Sequence, residues 1–469
     1  MSLLDSAKRI YLIGLKGAGM TALAQFLQAR GQTVWGSDTP EKFFTDEVLK
    51  RSQIEVREGF AAAHLDRAID LVIRSTAYGD DNIEVRAAQE KKLPIITYPE
   101  ALGELTRQYK SLAVAGSHGK TTTAALLAHV LQTAGLAPSA LVGSEVTQFK
   151  GNALIGAGEL FVFEADEYQN KFQYYSPQSI ILTSLDWDHP DFYKTPAAYE
   201  AAFVEFLKKL PADGLVVACY DDDNVKQAVA AANLKPEQVV TYGLTTGYWQ
   251  LGRMWLEEGR WHFSVNQGED YAGAFYWRLI GGHNVANALA VMACARRLGV
   301  DLEVIRQALM SFEGIKRRFE IKGKLNNQAI LVDDYAHHPA EIVATLKAAR
   351  AFYPYKNIRV VFHPHTFSRT EALLADFAAS FAEADEVIVL DIYSSAREQS
   401  GGVSSADLVA EIKQRQPKVE YRPTVAAATD YLSETMGRSD LVITMGAGDV
   451  WKVGEELIKK FGLVTGSEF

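Results

Sequence analysis

The sequence predicts an α/β protein of three domains, and three observations support this. Runs of Val, Ile and Leu alternate with helical patterns along almost the whole chain, which is typical of parallel sheets covered on both faces. The 469 residues exceed what one ordinary core holds and suit about three domains. Each of the first two blocks carries a strand, a glycine loop and a helix in that order. We therefore expect an N-terminal Rossmann-like domain (1–105), a central P-loop ATPase-like parallel sheet (106–316) and a C-terminal Rossmann-like domain (317–469).

Composition excludes several classes of protein. The net charge of −10 and the lack of Lys or Arg runs argue against a nucleic-acid surface. The first residues carry no apolar signal core, and no run of about 18 apolar residues could cross a bilayer. Both cysteines, Cys219 and Cys294, lie in apolar stretches, which is typical of buried thiols in a reducing compartment. We expect a cytoplasmic protein without membrane insertion, and the sequence does not distinguish a monomer from a dimer.

The first block opens with a strand over 9–14, a glycine loop, a helix from about 21 to 30 and a second strand over 33–38. The loop glycines are spaced G-x-x-G-x-G, as Gly14, Gly17 and Gly19. A dinucleotide site has the spacing G-x-G-x-x-G instead, although Asp38 lies where a ribose-binding acid would. A glycine loop at a helix N-terminus suits a diphosphate, so a nucleotide or nucleotide-sugar site is favoured over NAD or a purely structural turn.

The second block contains the most specific motif, an apolar strand that runs into a glycine turn and Lys-Thr-Thr over 112–123. Gly116 and Gly119 allow backbone N–H groups to face phosphate oxygens. Lys120 can reach the terminal phosphates, and the hydroxyl of Thr121 can bind magnesium. The loop is a short variant, Gly-x-x-Gly-Lys-Thr, of the common triphosphate motif, and we expect the following helix over residues 124–134.

Two acidic segments follow later strands of this block. The first supplies Glu164, Asp166 and Glu167 as candidate magnesium ligands, at the strand end where ligands collect in open α/β sheets. The second, residues 185–193, surrounds His189 with aspartates. A lone histidine commonly has a structural role. Because of the acidic neighbours, the sequence supports a role of His189 in binding a cation equally well.

Amides and histidines fill further loops at strand ends. Asn284 and Asn287 share one face at a helix start, where they can cap the helix or contact a base. In the third block, polar loops follow the strands that end near 333 and 362, and they contain several histidines.

Together the motifs resemble the Mur ligase family along nearly the whole chain. The segments that carry the resemblance are Gly14–Met20, Gly116–Thr123, Glu164–Tyr168, Asp188–Asp191, His283–Asn287, Lys316–Phe319, Asp333–Pro339 and Pro364–Arg369. One departure is Ser184, where relatives usually have Asn after Thr, and it puts one polar contact near the magnesium loop in question.

The resemblance implies a ligase that joins the lactyl carboxylate of UDP-N-acetylmuramate to the amine of L-alanine during peptidoglycan precursor synthesis. It implies ATP and Mg²⁺ as cofactors and an acyl phosphate as intermediate, with an arginine and a lysine to neutralise the transferred phosphoryl group.

The resemblance also implies roles for individual residues. The expected catalytic residues are Lys120, Arg318 and His189. The expected metal ligands are Thr121, Glu167 and His189. The expected ATP-binding residues are Gly116, Ser117, His118, Gly119, Lys120, Thr121, Thr122, Asn284, Asn287, Arg318 and Asp334. The expected substrate-binding residues are Gly17, Ala18, Gly19, Met20, Ser37, Asp38, His118, Tyr335, His337 and Arg369.

Among these, Arg369 is the cation that we expect to bind the carboxylate of alanine, because it lies beside His365 on a loop that follows a strand. Tyr335, His337 and His338 are expected to line the same pocket.

Three other interpretations stay open. A murein tripeptide ligase would act on the same nucleotide sugar, but its first glycine loop usually lacks the Gly-x-Gly-Met ending of residues 17–20. A nucleotide-sugar dehydrogenase would use the first loop for NAD and leave Lys120 unexplained. A sensor without catalysis would not need Lys120, Thr121, Glu167 and His189 together.

Overall fold

The structure is a computed structural model, and it describes residues 2–257, 260–394, 398, 400–416 and 418–464. Within these residues the chain forms three β-sheets of five, ten and six strands, which confirms the predicted α/β class. Contacts group the chain into two compact units. The first comprises Met1–Trp187, Thr195–Arg278 and Val285–Ile315, and the second comprises Asp188–Lys194, Leu279–Asn284 and Lys316–Phe469. No helix in the described ranges is long and apolar enough to span a membrane.

The first sheet lies in the first unit and is entirely parallel, with the order β3-β2-β1-β4-β5. Its strands are β1 (Arg9–Ile13), β2 (Thr33–Asp38), β3 (Glu55–Glu58), β4 (Leu71–Arg74) and β5 (Ile95–Thr97). The helices of this region are α1 (Leu3–Ser6), α2 (Ala18–Ala29), α3 (Thr45–Arg51), α4 (Ile83–Glu90) and α5 (Tyr98–Gln108). Buried Tyr11, Ile13, Trp35 and Val72 form its core. Because β1 lies at the centre, the glycine loop after it opens at the carboxyl edge of the sheet.

The ten-stranded sheet also lies in the first unit, with the order β15-β14-β13-β12-β11-β10-β6-β9-β7-β8. Its strands are β6 (Lys110–Ala115), β7 (Ser139–Val146), β8 (Gly151–Leu154), β9 (Leu160–Glu164), β10 (Ser179–Leu182), β11 (Leu215–Cys219), β12 (Val239–Gly243), β13 (Trp249–Glu257), β14 (Arg260–Gln267) and β15 (Asp270–Trp277). The helices between residues 116 and 315 are α6 (Lys120–Thr133), α7 (Pro196–Leu207), α8 (Asp223–Ala231), α9 (Gly282–Arg297) and α10 (Leu302–Ser311).

This sheet is not purely parallel, although the sequence predicted a parallel one. Strands β13, β14 and β15 pair antiparallel, and β8 is antiparallel to β7. The strands from β7 through β9, β6, β10, β11 and β12 to β13 are parallel to their neighbours. The parallel core places the ends of β6, β9 and β10 side by side, which brings the phosphate loop next to the first acidic segment.

The six-stranded sheet lies in the second unit, with the order β16-β17-β21-β18-β19-β20. Its strands are β16 (Glu320–Lys324), β17 (Ile330–Asp334), β18 (Asn357–Phe362), β19 (Glu386–Val389), β20 (Val419–Tyr421) and β21 (Asp440–Met445). The helices are α11 (Pro339–Phe352), α12 (Phe367–Ala372), α13 (Leu374–Ala379), α14 (Ser405–Lys413), α15 (Val425–Thr435) and α16 (Trp451–Phe461). Among the strands that the structure describes in this sheet, only β16 is antiparallel to its neighbour.

Helix α2 connects the two sheets of the first unit. It follows the first glycine loop and packs on β7 and β8 of the ten-stranded sheet. There the amide N–H of Asn152 donates to Oε1 of Gln25 at 3.0 Å. Arg51, at the end of α3, pairs with Glu145 of β7 at 2.5 Å. The helices of the five-stranded sheet therefore contact the edge of the ten-stranded sheet directly.

Candidate active site

The phosphate loop connects β6 to α6. Gly116 and Gly119 have φ angles of 130° and 78°, a region that favours glycine. A side chain at Gly119 would begin 2.7 Å from Oδ1 of Asn287, so this amide lies directly against the loop. Helix α6 begins at Lys120, four residues before the predicted start, and its first N–H groups lie beside the loop. This arrangement suits a phosphate.

The ammonium of Lys120 is held by the loop itself. It donates to the carbonyl oxygens of Gly116 and Ser117, and it lies 3.3 Å from Oε2 of Glu167. Burial lowers the pKa of Lys120, but the carboxylates of Glu167, Asp166 and Glu164 outweigh burial and raise it. Lys120 is therefore a fixed positive charge at the mouth of the loop.

The acidic residues contact two different side chains of the loop: Glu164 contacts Thr121, and Glu167 contacts Lys120. The hydroxyl of Thr121 donates to Oε2 of Glu164 at 3.0 Å, and the amide N–H of Gly143 donates to the same carboxylate. Glu167 is 1% exposed and accepts a hydrogen bond from the hydroxyl of Tyr199 at 3.1 Å. Hydroxyl and carboxylate oxygens are the ligands that Mg²⁺ prefers, so the donor set fits this ion. The sequence identified this acidic segment but did not show that Glu164 is the partner of Thr121.

The departure at Ser184 has a structural role. The amide N–H of His118 donates to Oγ of Ser184 at 3.0 Å, and the hydroxyl of Thr183 donates to the carbonyl oxygen of His118 at 2.5 Å. The ring of His118 is 3.0 Å from Oδ2 of Asp186. Ser184 thus supports the backbone of the phosphate loop with its own hydroxyl.

In the first glycine loop, some predicted substrate ligands already have partners in the protein. The carboxylate of Asp38 accepts hydrogen bonds from the amide of Lys16 at 2.7 Å and the hydroxyl of Tyr78 at 3.0 Å. The hydroxyl of Ser37 donates to buried Glu84. Asp38 therefore stabilises the loop in this structure, the hydroxyl of Ser37 contacts α4, and the backbone of residues 17–20 forms the start of α2.

In the second unit, the two neighbouring arginines of the Lys-Arg-Arg-Phe segment have different environments. Arg317 is buried, and it donates to Oδ2 of Asp333 at 3.1 Å and to the carbonyl oxygen of Gly446 at 2.6 Å. The side chain of Arg318 is 27% exposed and lies 3.9 Å from Glu341. Both guanidinium groups lie about 5 Å from the ring centre of Tyr335. Arg317 anchors the segment, and Arg318 is the more accessible charge.

The same end of the sheet carries Asp334 and His337. Oxygens of Asp334 accept the amide N–H groups of Phe319 and Ala336, both at 2.7 Å, and burial raises the pKa of Asp334 to about 6. Burial lowers the pKa of His337 to about 4, so its ring is neutral near pH 7. Glu341 lies 3.3 Å from the ring of His337 as well as beside Arg318. Sequence analysis missed Glu341, although its spacing of four residues from His337 at a helix start was a usable signal.

The guanidinium of Arg369 is buried and engages a carboxylate. It donates to both oxygens of Asp188, at 2.9 and 3.0 Å, and lies 3.2 Å from Nδ1 of His365. Although burial of Asp188 opposes it, Arg369 holds the pKa of this carboxyl well below its ordinary value. The cation predicted to bind alanine therefore has an internal carboxylate partner in this structure.

Neighbouring residues of the second unit include two further predicted ligands. His189 has a φ of 57°, and its amide N–H donates to Oδ1 of Asp188 at 2.7 Å. The side-chain amide N–H of Asn284 donates to the carbonyl oxygen of Ile280 at 2.8 Å, four residues earlier in the chain.

Three consecutive segments of the chain match models of known protein families. The Mur ligase family catalytic domain matches residues 9–110, the Mur ligase middle domain matches 114–295, and the Mur ligase glutamate ligase domain matches 317–448. The UDP-N-acetylmuramate--L-alanine ligase of Desulfitobacterium hafniense (strain Y51) is 41% identical over 453 residues, which cover 96% of this chain and 99% of that protein.

Solved structures agree with this match. The UDP-N-acetylmuramate-alanine ligase of Thermotoga maritima superposes with a TM-score of 0.82 at 27% identity, and the match covers 96% of this chain and 98% of that one. A murein peptide ligase from Psychrobacter arcticus 273-4 has a TM-score of 0.73 at 24% identity over 98% of this chain and 100% of that one, a likeness of fold alone. With three domain matches in chain order and a relative that is 41% identical along almost its whole length, the chain belongs to the Mur ligase family.

Proposed function

We propose that this protein is the ATP-dependent ligase that joins L-alanine to the lactyl carboxylate of UDP-N-acetylmuramate in peptidoglycan precursor synthesis. The products are UDP-N-acetylmuramoyl-L-alanine, ADP and phosphate. The observation that carries the proposal is the phosphate loop with Lys120 and Thr121 each beside a carboxylate, in a chain 41% identical to a ligase of that name. The proposal includes a cytoplasmic location, where ATP is available.

The chemistry requires activation, because a carboxylate is a poor electrophile towards an amine. An oxygen of the lactyl carboxylate attacks the γ-phosphorus of ATP, and the bond to the bridging oxygen of ADP breaks. The neutral amine of alanine attacks the carbonyl carbon of the resulting acyl phosphate. The bond from that carbon to the phosphate oxygen breaks, phosphate leaves with the electron pair, and the nitrogen loses one proton to solvent as the amide forms. The first step is phosphoryl transfer, whose rate depends on positioning and on stabilisation of charge.

The residues of the first unit suit this step. Lys120 is a fixed cation that can exchange its loop carbonyl partners for phosphate oxygens. Thr121 and Glu167 stay proposed metal ligands of this unit, and Glu164 joins them as a candidate because it accepts the hydroxyl proton of Thr121. His189, which belongs to the second unit, also stays a proposed metal ligand. When bound, Mg²⁺ would supply charge neutralisation for the phosphates.

The residues of the second unit suit ATP and alanine. Arg318 is proposed as the arginine that stabilises the transferred phosphoryl group, and Asp334 as the ribose ligand. Arg369 is proposed as the partner of the alanine carboxylate, beside Tyr335 and His337. In this role the alanine carboxylate would replace Asp188, because the guanidinium already binds that side chain at both oxygens.

The decisive test is phosphate release with UDP-N-acetylmuramate, ATP and magnesium against a panel of L-alanine, L-serine, glycine and a murein tripeptide. We expect turnover with alanine. Lys120→Ala should lower kcat by about 10³-fold or more, because the cation beside the transferred phosphate is lost. Lys110→Ala is a matched control at the other end of the same strand, where the lysine pairs with Glu159 on the surface.

Other outcomes of this test would each support a different function. Turnover with the tripeptide and not with alanine would assign the protein to recycling of murein peptides. An absorbance change at 340 nm with NAD would support the dehydrogenase interpretation. Binding of both nucleotides without phosphate release from any amino acid would indicate a sensor.

A further inference from the structure

An open cavity of about 520 Å³ lies in the second unit, at the amino edge of the six-stranded sheet. Its lining includes the end of β16 and the residues directly before β18 and β21. Because β17, β18 and β21 are parallel, their carboxyl ends, one of which carries Asp334, lie at the opposite edge. The cavity is therefore separate from the edge that the proposed function uses. Its volume is typical of sites for small ligands, which measure about 300–1,000 Å³.

The lining of this cavity is cationic. It includes Lys324, Lys356 and Arg438, and none of the described residues that line it is acidic. The whole chain, by contrast, has a net charge of −10. Helix α11 ends beside the cavity at Phe352, but the end of a helix contributes only about half a negative charge. The three cations exceed this charge, so the cavity favours an anion.

The cations of the lining lack carboxylate partners. Lys324 and Arg438 form no ion pair with any residue that the structure describes. The ammonium of Lys356 donates to the backbone carbonyl oxygen of Arg438 at 3.0 Å. Burial and, next, the charge of Lys324 lower the pKa of Lys356, and the carboxylate of Asp440 only partly offsets them. The two ammonium groups therefore repel each other, and a bound anion would relieve this repulsion.

Three aromatic residues, Phe352, Tyr353 and Tyr355, also line the cavity. The rings of Phe352 and Tyr353 pack edge to face with their centres 4.8 Å apart. Burial raises the pKa of Tyr353 to about 12, so its hydroxyl keeps its proton near pH 7 and can donate to an anion. Tyr355 is instead 96% exposed, so the face of its ring is open to a flat group.

We propose that this cavity binds a nucleoside monophosphate, with the phosphate among the three cations and the base on the ring of Tyr355. A guanidinium can bind two phosphate oxygens, and ammonium groups add point charges. A flat base stacks on an aromatic ring, whereas inorganic phosphate would leave the ring of Tyr355 unused. This site goes beyond the proposed function, because none of its residues has a part in the ligation.

The test is calorimetric titration of AMP, adenosine and inorganic phosphate into the full-length protein. Arg438→Gln should raise the Kd for AMP about tenfold or more, because a charged hydrogen-bond donor is lost. Tyr355→Ala should raise it about fivefold or more, because stacking of the base is lost, and should leave the Kd for inorganic phosphate unchanged. Lys413→Gln removes an exposed charge from α14 of the same unit and should change neither value.

Two further measurements locate the bound AMP and check folding. Hydrogen exchange detected by mass spectrometry should show slower exchange over residues 352–357 and 437–440 when AMP is bound to the wild type. The melting temperatures of the variants should match that of the wild type, because Arg438, Tyr355 and Lys413 are exposed. Lys324→Gln removes a second cation of the lining, and it should weaken the binding of AMP as Arg438→Gln does.

Four results would overturn the inference. AMP that binds Arg438→Gln and Tyr355→Ala as tightly as the wild type occupies another site. Adenosine that binds as tightly as AMP would show that the cations do not bind the phosphate. Inorganic phosphate that binds as tightly as AMP would show that the cavity accepts a bare anion and not a nucleotide. A lowered melting temperature of Arg438→Gln, with no effect of Lys324→Gln on AMP, would show a structural role for Arg438.

Discussion

The neighbouring residues Arg317 and Arg318 give a sharp prediction, because one should affect stability and the other activity. Arg317→Met removes the partner of Asp333, whose side chain is 6% exposed, and leaves a buried carboxylate without its guanidinium. Breaking a buried pair in this way destabilises a protein by about 3–5 kcal/mol. In a unit of this size we expect the melting temperature to fall by about 10 °C.

Arg318→Met should behave in the opposite way. The ion pair of Arg318 with Glu341 is long, at 3.9 Å, and partly exposed, so its loss should change stability by less than about 1 kcal/mol. Loss of an arginine that neutralises a transferred phosphoryl group lowers kcat by about 10³-fold or more.

The assays are scanning calorimetry and phosphate release with saturating substrates, each applied to both variants. The reasoning fails if Arg317→Met has the same melting temperature as the wild type, or if the kcat of Arg318→Met is within tenfold of the wild-type value. It also fails if both variants lose the same amount of stability, because the two environments would then not differ as described.

Three more predictions follow from the site. Gly119→Ala should raise the KM for ATP about tenfold or more, because Gly119 has a φ of 78° and the added methyl group would meet Asn287. Gly135→Ala is the control, since Gly135 has a similar φ of 74° but open space around it. This substitution should change only stability, by about 1 kcal/mol. Because the folded-state pKa of Asp334 is about 6, against 3.8 ordinarily, the folded protein binds more protons than the unfolded chain between about pH 4 and 6. The free energy of unfolding should therefore fall as pH rises through that window, and urea titrations of Asp334→Asn should lack roughly 3 kcal/mol of the fall. Chelation of divalent metal with EDTA should abolish phosphate release and added Mg²⁺ should restore it; release that continues in EDTA would contradict the oxygen-ligand assignment at Thr121.

Local signals explain what the sequence predicted well. The phosphate loop was recognisable because strand, glycine turn and helix are adjacent in the chain and the conformations of Gly116 and Gly119 belong to glycine. The start of α6 was placed four residues late, because Lys-Thr-Thr-Thr resembles a polar loop. In the structure Gly119 caps the helix, so these polar residues form its first turn.

Pairings between distant residues explain what the sequence did not predict. Glu164 is 43 residues from Thr121, and Asp188 is 181 residues from Arg369. The order of motifs along the chain showed that carboxylates follow strands, but only the sheet order determines which carboxylate meets which side chain. The antiparallel strands β13 to β15 were missed for a related reason. They follow one another directly, so a pattern of alternating strands and helices does not describe them. Along these strands, polar residues alternate with buried ones such as Phe263 and Phe275.

The packing of α2 on β7 and β8 has a consequence for how the protein unfolds. Because Gln25 and Arg51 bind Asn152 and Glu145, neither the five-stranded nor the ten-stranded sheet can open along this face without exposing the other. The two sheets should then behave as one cooperative folding unit in native-state hydrogen exchange. A nucleotide sugar bound only to the first loop would slow amide exchange in β7 and β8, strands that it does not touch.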